Sequence, residues 1–225
     1  MPMSETRTPD EIRNGQFAGR LLIAVSILEV LAMAHHPSVA AHDVAGAVQE
    51  IGRLSALTGA VHGALIALML VSFYCLTEFC LQRGMRRPLV RAGLIAYAAG
   101  VIAMIGAATI SGFVITDLAS HLIDTTPTDQ QLSAQLLTLC HVLNQTMARI
   151  GVIAMSVGIA FWSIGLLHDR GFARWIGALG CVIGLLPIAG LALGVLHLDV
   201  HGMGAVVLLQ AIWSIGLGVL IYRNP

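Results

Sequence analysis

The sequence predicts an all-α, polytopic integral membrane bundle of six transmembrane helices with both termini cytoplasmic. Three observations carry that expectation. First, only 11% of the 225 residues are charged, 57% are hydrophobic and the mean hydropathy is +0.85. Soluble domains hold about 25% charged residues, so this chain has too little polar surface to cover a water-facing globule. Second, apolar runs of about 20 residues, the length that crosses a bilayer, recur along the chain. The runs are continuous rather than alternating, which favours helices over a closed barrel. Third, the basic residues are sorted by side. All twelve are Arg, and ten of them (Arg7, Arg13, Arg20, Arg83, Arg86, Arg87, Arg91, Arg170, Arg174 and Arg223) fall on one side of the expected spans. Arg53 alone falls on the other side, and Arg149 lies within the fourth span. Basic loops stay cytoplasmic.

The spans follow in order. A polar tail over 1–16 precedes a single transmembrane domain over 17–225. The tail lacks the basic start and short apolar core of a signal peptide, so the first apolar run is expected as a retained helix. The spans are expected at 17–36, 56–81, 89–117, 135–167, 174–196 and 203–222. Two inner turns are short, around QRGMRRP and HDRGFAR. Two outer connections are longer, 37–55 and 118–134. In the first, Val44, Val48 and Ile51 have helical spacing, which suits a short amphipathic helix lying along the interface. In the second, DTTPTDQQ reads as a polar loop. Short repeats occur: WSIG at 162–165 and 213–216, and similar sequence around the two inner turns. Duplication of a helix hairpin is one explanation, and chance matching of apolar sequence is the other.

A net charge of zero speaks against a nucleic-acid partner. Cys75, Cys80, Cys140 and Cys181 lie in apolar runs without CxxC spacing, as small buried hydrophobes do. The histidines carry more information. Eight of nine (His35, His36, His42, His62, His121, His141, His197 and His201) fall at outer helix ends or in outer loops, and only His168 is inside. Interfacial imidazoles are common singly, but side-specific crowding points to metal ligation or proton handling. The stretch GVLHLDVHG adds Asp199 between His197 and His201, and Asp117 stands four residues before His121. The leading ligand candidates are His62, His141, His197 and His201, followed by His36, His121 and Asp117. Imidazole-rich ligation suits copper or zinc, and a single haem is a further option. One inner histidine does not suit a relay between two haems. The nine Met residues form no cluster in the outer loops, which argues against a thioether Cu(I) relay.

Two charges sit within spans, where they are costly and mark function. Glu29 lies in the outer half of the first span and Arg149 in the fourth. His141, Asn144, Gln145 and Arg149 form one stripe by helical spacing, as do Glu29, Met33 and His36. An ion pair between Glu29 and Arg149 beneath the histidines is the economical expectation. Gln210 and Ser111 are expected along the same interior.

Three functions fit these residues. The leading one is a metalloprotein of the inner cell membrane with an outward-facing histidine site. Whether such a site is catalytic, on a small molecule or a lipid of the surrounding bilayer, the sequence leaves open. The second is a proton- or ion-coupled transporter of small solutes that uses Glu29, Arg149 and the outer histidines. The third is a membrane scaffold without chemistry of its own.

Overall fold

A computed structural model of the chain describes residues 8–37, 44–122 and 127–223. Among these residues every regular element is helical. Helix α1 spans Pro9–Ala34, α2 Val44–Arg83, α3 Pro88–Thr109, α4 Ile115–Leu122, α5 Pro127–Leu167, α6 Phe172–Ala192 and α7 Val200–Arg223. A π-helical turn, Ile110–Val114, joins α3 to α4. Among the described residues six stretches are long and apolar enough to cross a membrane. The chain is therefore built as a multi-pass membrane bundle. His42 and residues 123–126 lie outside the described residues.

Local chemistry sets the helix ends. Thr8 caps α1 by a capping box: its hydroxyl accepts from the Glu11 backbone N–H at 3.3 Å, and the Glu11 carboxylate accepts from the Thr8 N–H at 2.7 Å. Pro9 and Pro88 open α1 and α3, at first-turn positions where a missing N–H costs nothing. The two turns rich in Arg each need a glycine with positive φ, Gly84 at 89° and Gly171 at 63°. Arg83 and Asp169 join these turns through a 2.7 Å ion pair. Arg20 donates to the Tyr222 hydroxyl at 3.1 Å, so α1 and the end of α7 are tied together at this arginine end.

Helix lengths differ from the expected spans. Helix α2 has 40 residues and α5 has 41. At 1.5 Å per residue each is about 60 Å long, twice the hydrocarbon thickness of a bilayer. Helix α6, with 21 residues, matches that thickness. The parts of α2 and α5 farthest from the arginine-rich turns therefore project beyond it. Of the stretch 37–55 expected to hold an interfacial helix, residues 44–55 are instead the first part of α2, coaxial with the span, and 38–43 lie outside the described residues. Its Gln49, Glu50 and Arg53 lower the hydropathy without breaking the helix, and no proline interrupts it. Likewise DTTPTDQQ is partly helix, because Pro127 starts α5.

The arginine half of the bundle is a dry core. Leu22, Leu76, Leu166, Trp213 and Leu217 are fully buried there. The two WSIG tryptophans, Trp162 and Trp213, stack at 6.2 Å with their rings 2° from parallel. Small residues let backbones touch. A Cβ on Gly19 would sit 2.7 Å from the Gly218 carbonyl oxygen, and one on Gly218 would sit 2.8 Å from that of Gly19. Helices α1 and α7 cannot part without losing this seam. Gly218→Val is expected to destabilise the bundle by about 1–3 kcal/mol, as overpacking does. A lower thermal midpoint of the detergent-solubilised protein checks this, and an unchanged midpoint would refute the seam.

Candidate functional site

Above the dry core the helices separate around a cavity of about 480 Å³. Helices α1, α2, α3, α5 and α7, the π turn and the α6–α7 link all line it. Its rim carries the exposed His141 and Asp199. Its floor carries Glu29, Ser72, Tyr97, Gln210 and Ser214. The walls between are apolar and rich in methionine. Met33, Met69, Met104, Met155 and Met203 line it, one from each of the five helices. Five of the nine Met residues thus stand among 27 lining residues, a concentration that chance placement in 225 positions would not give.

His36 and His62 meet at the mouth. Their Nε2 atoms are 3.3 Å apart, and their rings form a T-shaped contact at 4.8 Å. His36 Nδ1 lies 2.8 Å from the Pro37 carbonyl oxygen, and His62 Nδ1 lies 2.8 Å from that of Thr58. A carbonyl only accepts, so both Nδ1 atoms carry the proton and donate. Burial pushes the His36 imidazole below its ordinary pKa, partly offset by its bond to Pro37.

At the floor, Glu29 accepts a hydrogen bond from the Ser72 hydroxyl at 2.9 Å. Among the described residues no basic side chain pairs with it. The Gln210 side-chain Nε2 is buried and has no hydrogen-bond partner among the described residues. Gln210 and Ser111 line the interior, where the sequence places them.

Arg149 is not at the floor. It is exposed, and the expected pair with Glu29 does not form. Asn144, Ala148, Val152 and Met155 hold the inward stripe of α5, and Arg149 falls outside it. Its depth also differs from the expected one. Gly184 of α6 packs on Ser156 and Ala160 of α5, so Arg149 is level with the end of α6. A long cationic side chain at that level reaches the headgroup layer. Asn144 and Gln145 are structural ties. Asn144 donates to the Ala107 carbonyl at 2.8 Å, and Gln145 donates to that of Leu198 at 3.2 Å.

The expected metal ligands divide. His36, His62 and His141 line one cavity, with His36 and His62 in contact. His197 and His201 are exposed and absent from its lining. The Asp199 carboxylate accepts from the Gly202 N–H at 2.8 Å and caps α7, so GVLHLDVHG forms a helix start. His121 and Asp117 are exposed on α4, 3.8 Å apart. Among the described residues no three His, Cys, Asp or Glu side chains gather closely enough to hold a metal ion. Asp199→Ala is expected to cost about 1 kcal/mol of stability, and Asp199→Asn far less, because Asn also caps. Equal thermal midpoints for both variants would refute the capping role.

No family model, curated protein or solved structure matches the chain.

Proposed function

We propose that the protein binds a small lipophilic cation in the intramembrane cavity and exchanges it for a proton, in the manner of a proton-coupled transporter. The observation that carries this reading is Glu29, a carboxyl with no cationic partner among the described residues, at the floor of a methionine-lined cavity. A volume of about 480 Å³ exceeds what a bare ion needs. It falls within the range of about 300–1,000 Å³ that holds drug-sized molecules. Thioethers are polarizable and flexible, so such walls adapt to apolar bodies of varied shape. A carboxylate away from water needs a cation, and a neutral acid does not. Cation and proton therefore compete for the same Glu29 oxygens. Binding proceeds as Glu29–COOH plus cation, giving Glu29–COO⁻ paired with the cation plus a released proton.

The dry core beneath the floor closes the opposite end, which supports entry from the histidine end. The arginine-rich turns favour a cytoplasmic position for that closed end, and so an outward mouth. In a cell with two membranes this supports the inner one as its location.

The test is calorimetry of the detergent-purified full chain with tetraphenylphosphonium. That probe is permanently charged, so a released proton comes from the protein. Titrations at pH 6 in buffers of different ionisation heat are expected to show saturable binding with release of about one proton per cation. No saturable binding, or binding without proton release, would overturn the reading.

A further inference from the structure

The His36–His62 contact has a chemical demand that the cation cavity does not explain. Both Nδ1–H groups are committed to backbone carbonyls, so each neutral ring has its lone pair on Nε2. In two neutral rings that leaves two acceptor nitrogens 3.3 Å apart. Two acceptors held this close need a cation between them. With metal–nitrogen bonds of about 2.0–2.1 Å and a tetrahedral angle, two imidazole nitrogens stand about 3.3–3.4 Å apart. The observed separation is that bite. A haem needs its two nitrogens on opposite faces of a macrocycle, and the T-shaped contact leaves no room for one.

We propose that His36 and His62 form a zinc(II)-type site at the cavity mouth, with the remaining coordination positions open to the cavity. Zinc fits through its tolerance of imidazole ligands and tetrahedral geometry. The two ligands come from different elements, one just past the end of α1 and one inside α2. A bound ion therefore ties the end of α1 to the projecting part of α2. The second coordination layer is already built, since the Pro37 and Thr58 carbonyls orient the two rings. Open positions let water or a solute entering the cavity complete the sphere.

The site is distinct from Glu29, and so is its test. The detergent-purified full chain, stripped with chelator, is titrated with zinc chloride at pH 7.5 against a chromogenic competitor. Cobalt(II) is titrated in parallel, because tetrahedral cobalt absorbs strongly in the visible. About one equivalent of tight binding is expected, with a tetrahedral cobalt spectrum. His62→Ala and His36→Ala are expected to weaken zinc at least about 100-fold, while the double variant His197→Ala/His201→Ala retains wild-type affinity. A wild-type thermal midpoint of each single variant reports that its fold is intact. Zinc affinity unchanged in both single variants, affinity lost only in the His197/His201 variant, or no stoichiometric uptake by the wild type would overturn the proposal. In the last case the pair shares a proton instead.

Discussion

Glu29→Gln is expected to weaken tetraphenylphosphonium binding at least about tenfold and to abolish the accompanying proton release. Gln keeps the shape of Glu and can accept from Ser72 as Glu29 does at 2.9 Å, so the fold is expected to survive. What Gln cannot do is become an anion. Removing one partner of a charge pair in a water-poor site costs about 2–5 kcal/mol, and each 1.4 kcal/mol is tenfold in affinity. The pH dependence gives a second signature. Where Glu29 holds its proton, the cation must displace it, so wild-type affinity rises about tenfold per pH unit. The slope vanishes once Glu29 is ionised in the free protein. The Gln variant is expected to be flat throughout. Other titratable groups are placed to be distinguished. Helix α2 brings Cys75 near the floor and His62 to the mouth, α3 brings Tyr97, and α7 faces Glu29 with the neutral Gln210 and Ser214. His36, His141 and Asp199 stand at the mouth. His36→Ala is therefore expected to keep the slope. A sloped profile in the Gln variant would assign the proton to another group and sink the exchange mechanism.

The six spans and the crowding of histidines at one end were legible because hydropathy and side are properties of single segments. The contacts between segments were not. Glu29 and Arg149 look like partners when each helix is read as a wheel at equal depth. The long α5 shifts Arg149 up to the end of α6 and turns it outward. The methionine wall was hidden for a related reason. Each of its five members stands on a different helix, so no helix carries a methionine period. The segment over 44–55 was misread because polarity resembles a break in the span, whereas a helix continues through polar residues once it leaves the lipid. GVLHLDVHG carries metal-ligand residue types, yet its carboxylate is a helix cap. Spacing within a motif could not tell a ligand set from a helix start. His36 and His62, 26 residues apart, have no motif, and only tertiary packing pairs them.

That packing depends on Gly112, and Gly112→Ala is expected to weaken zinc about 10–100-fold with both histidines in place. The π turn at Ile110–Val114 inserts one residue into the α3–α4 helix and brings the backbone at Gly112 against α2. A Cβ built there would stand 2.6 Å from His62 Cγ, where real atoms do not approach. The conflict is with the root of the imidazole, not with a flexible tip. It is relieved only by moving His62 or by spreading α2 from the π turn. Either motion changes the 3.3 Å separation from His36 that sets the metal bite. The turn itself is held in place. Thr116 donates to the Gly112 carbonyl at 2.9 Å and to that of Phe113 at 3.0 Å, partnering carbonyls whose helical bonds the π turn alters. Thr116→Val removes that support and is expected to act in the same direction with a smaller effect. Misplaced supporting groups typically cost a metal site one to two orders of magnitude. Glu29 lies two turns deeper on α1 than His36, so cation binding is expected to stay within about twofold of wild type in Gly112→Ala. Unchanged zinc affinity in this variant would show that the π turn does not position His62. Loss of cation binding together with zinc would show instead that the substitution collapses the whole cavity.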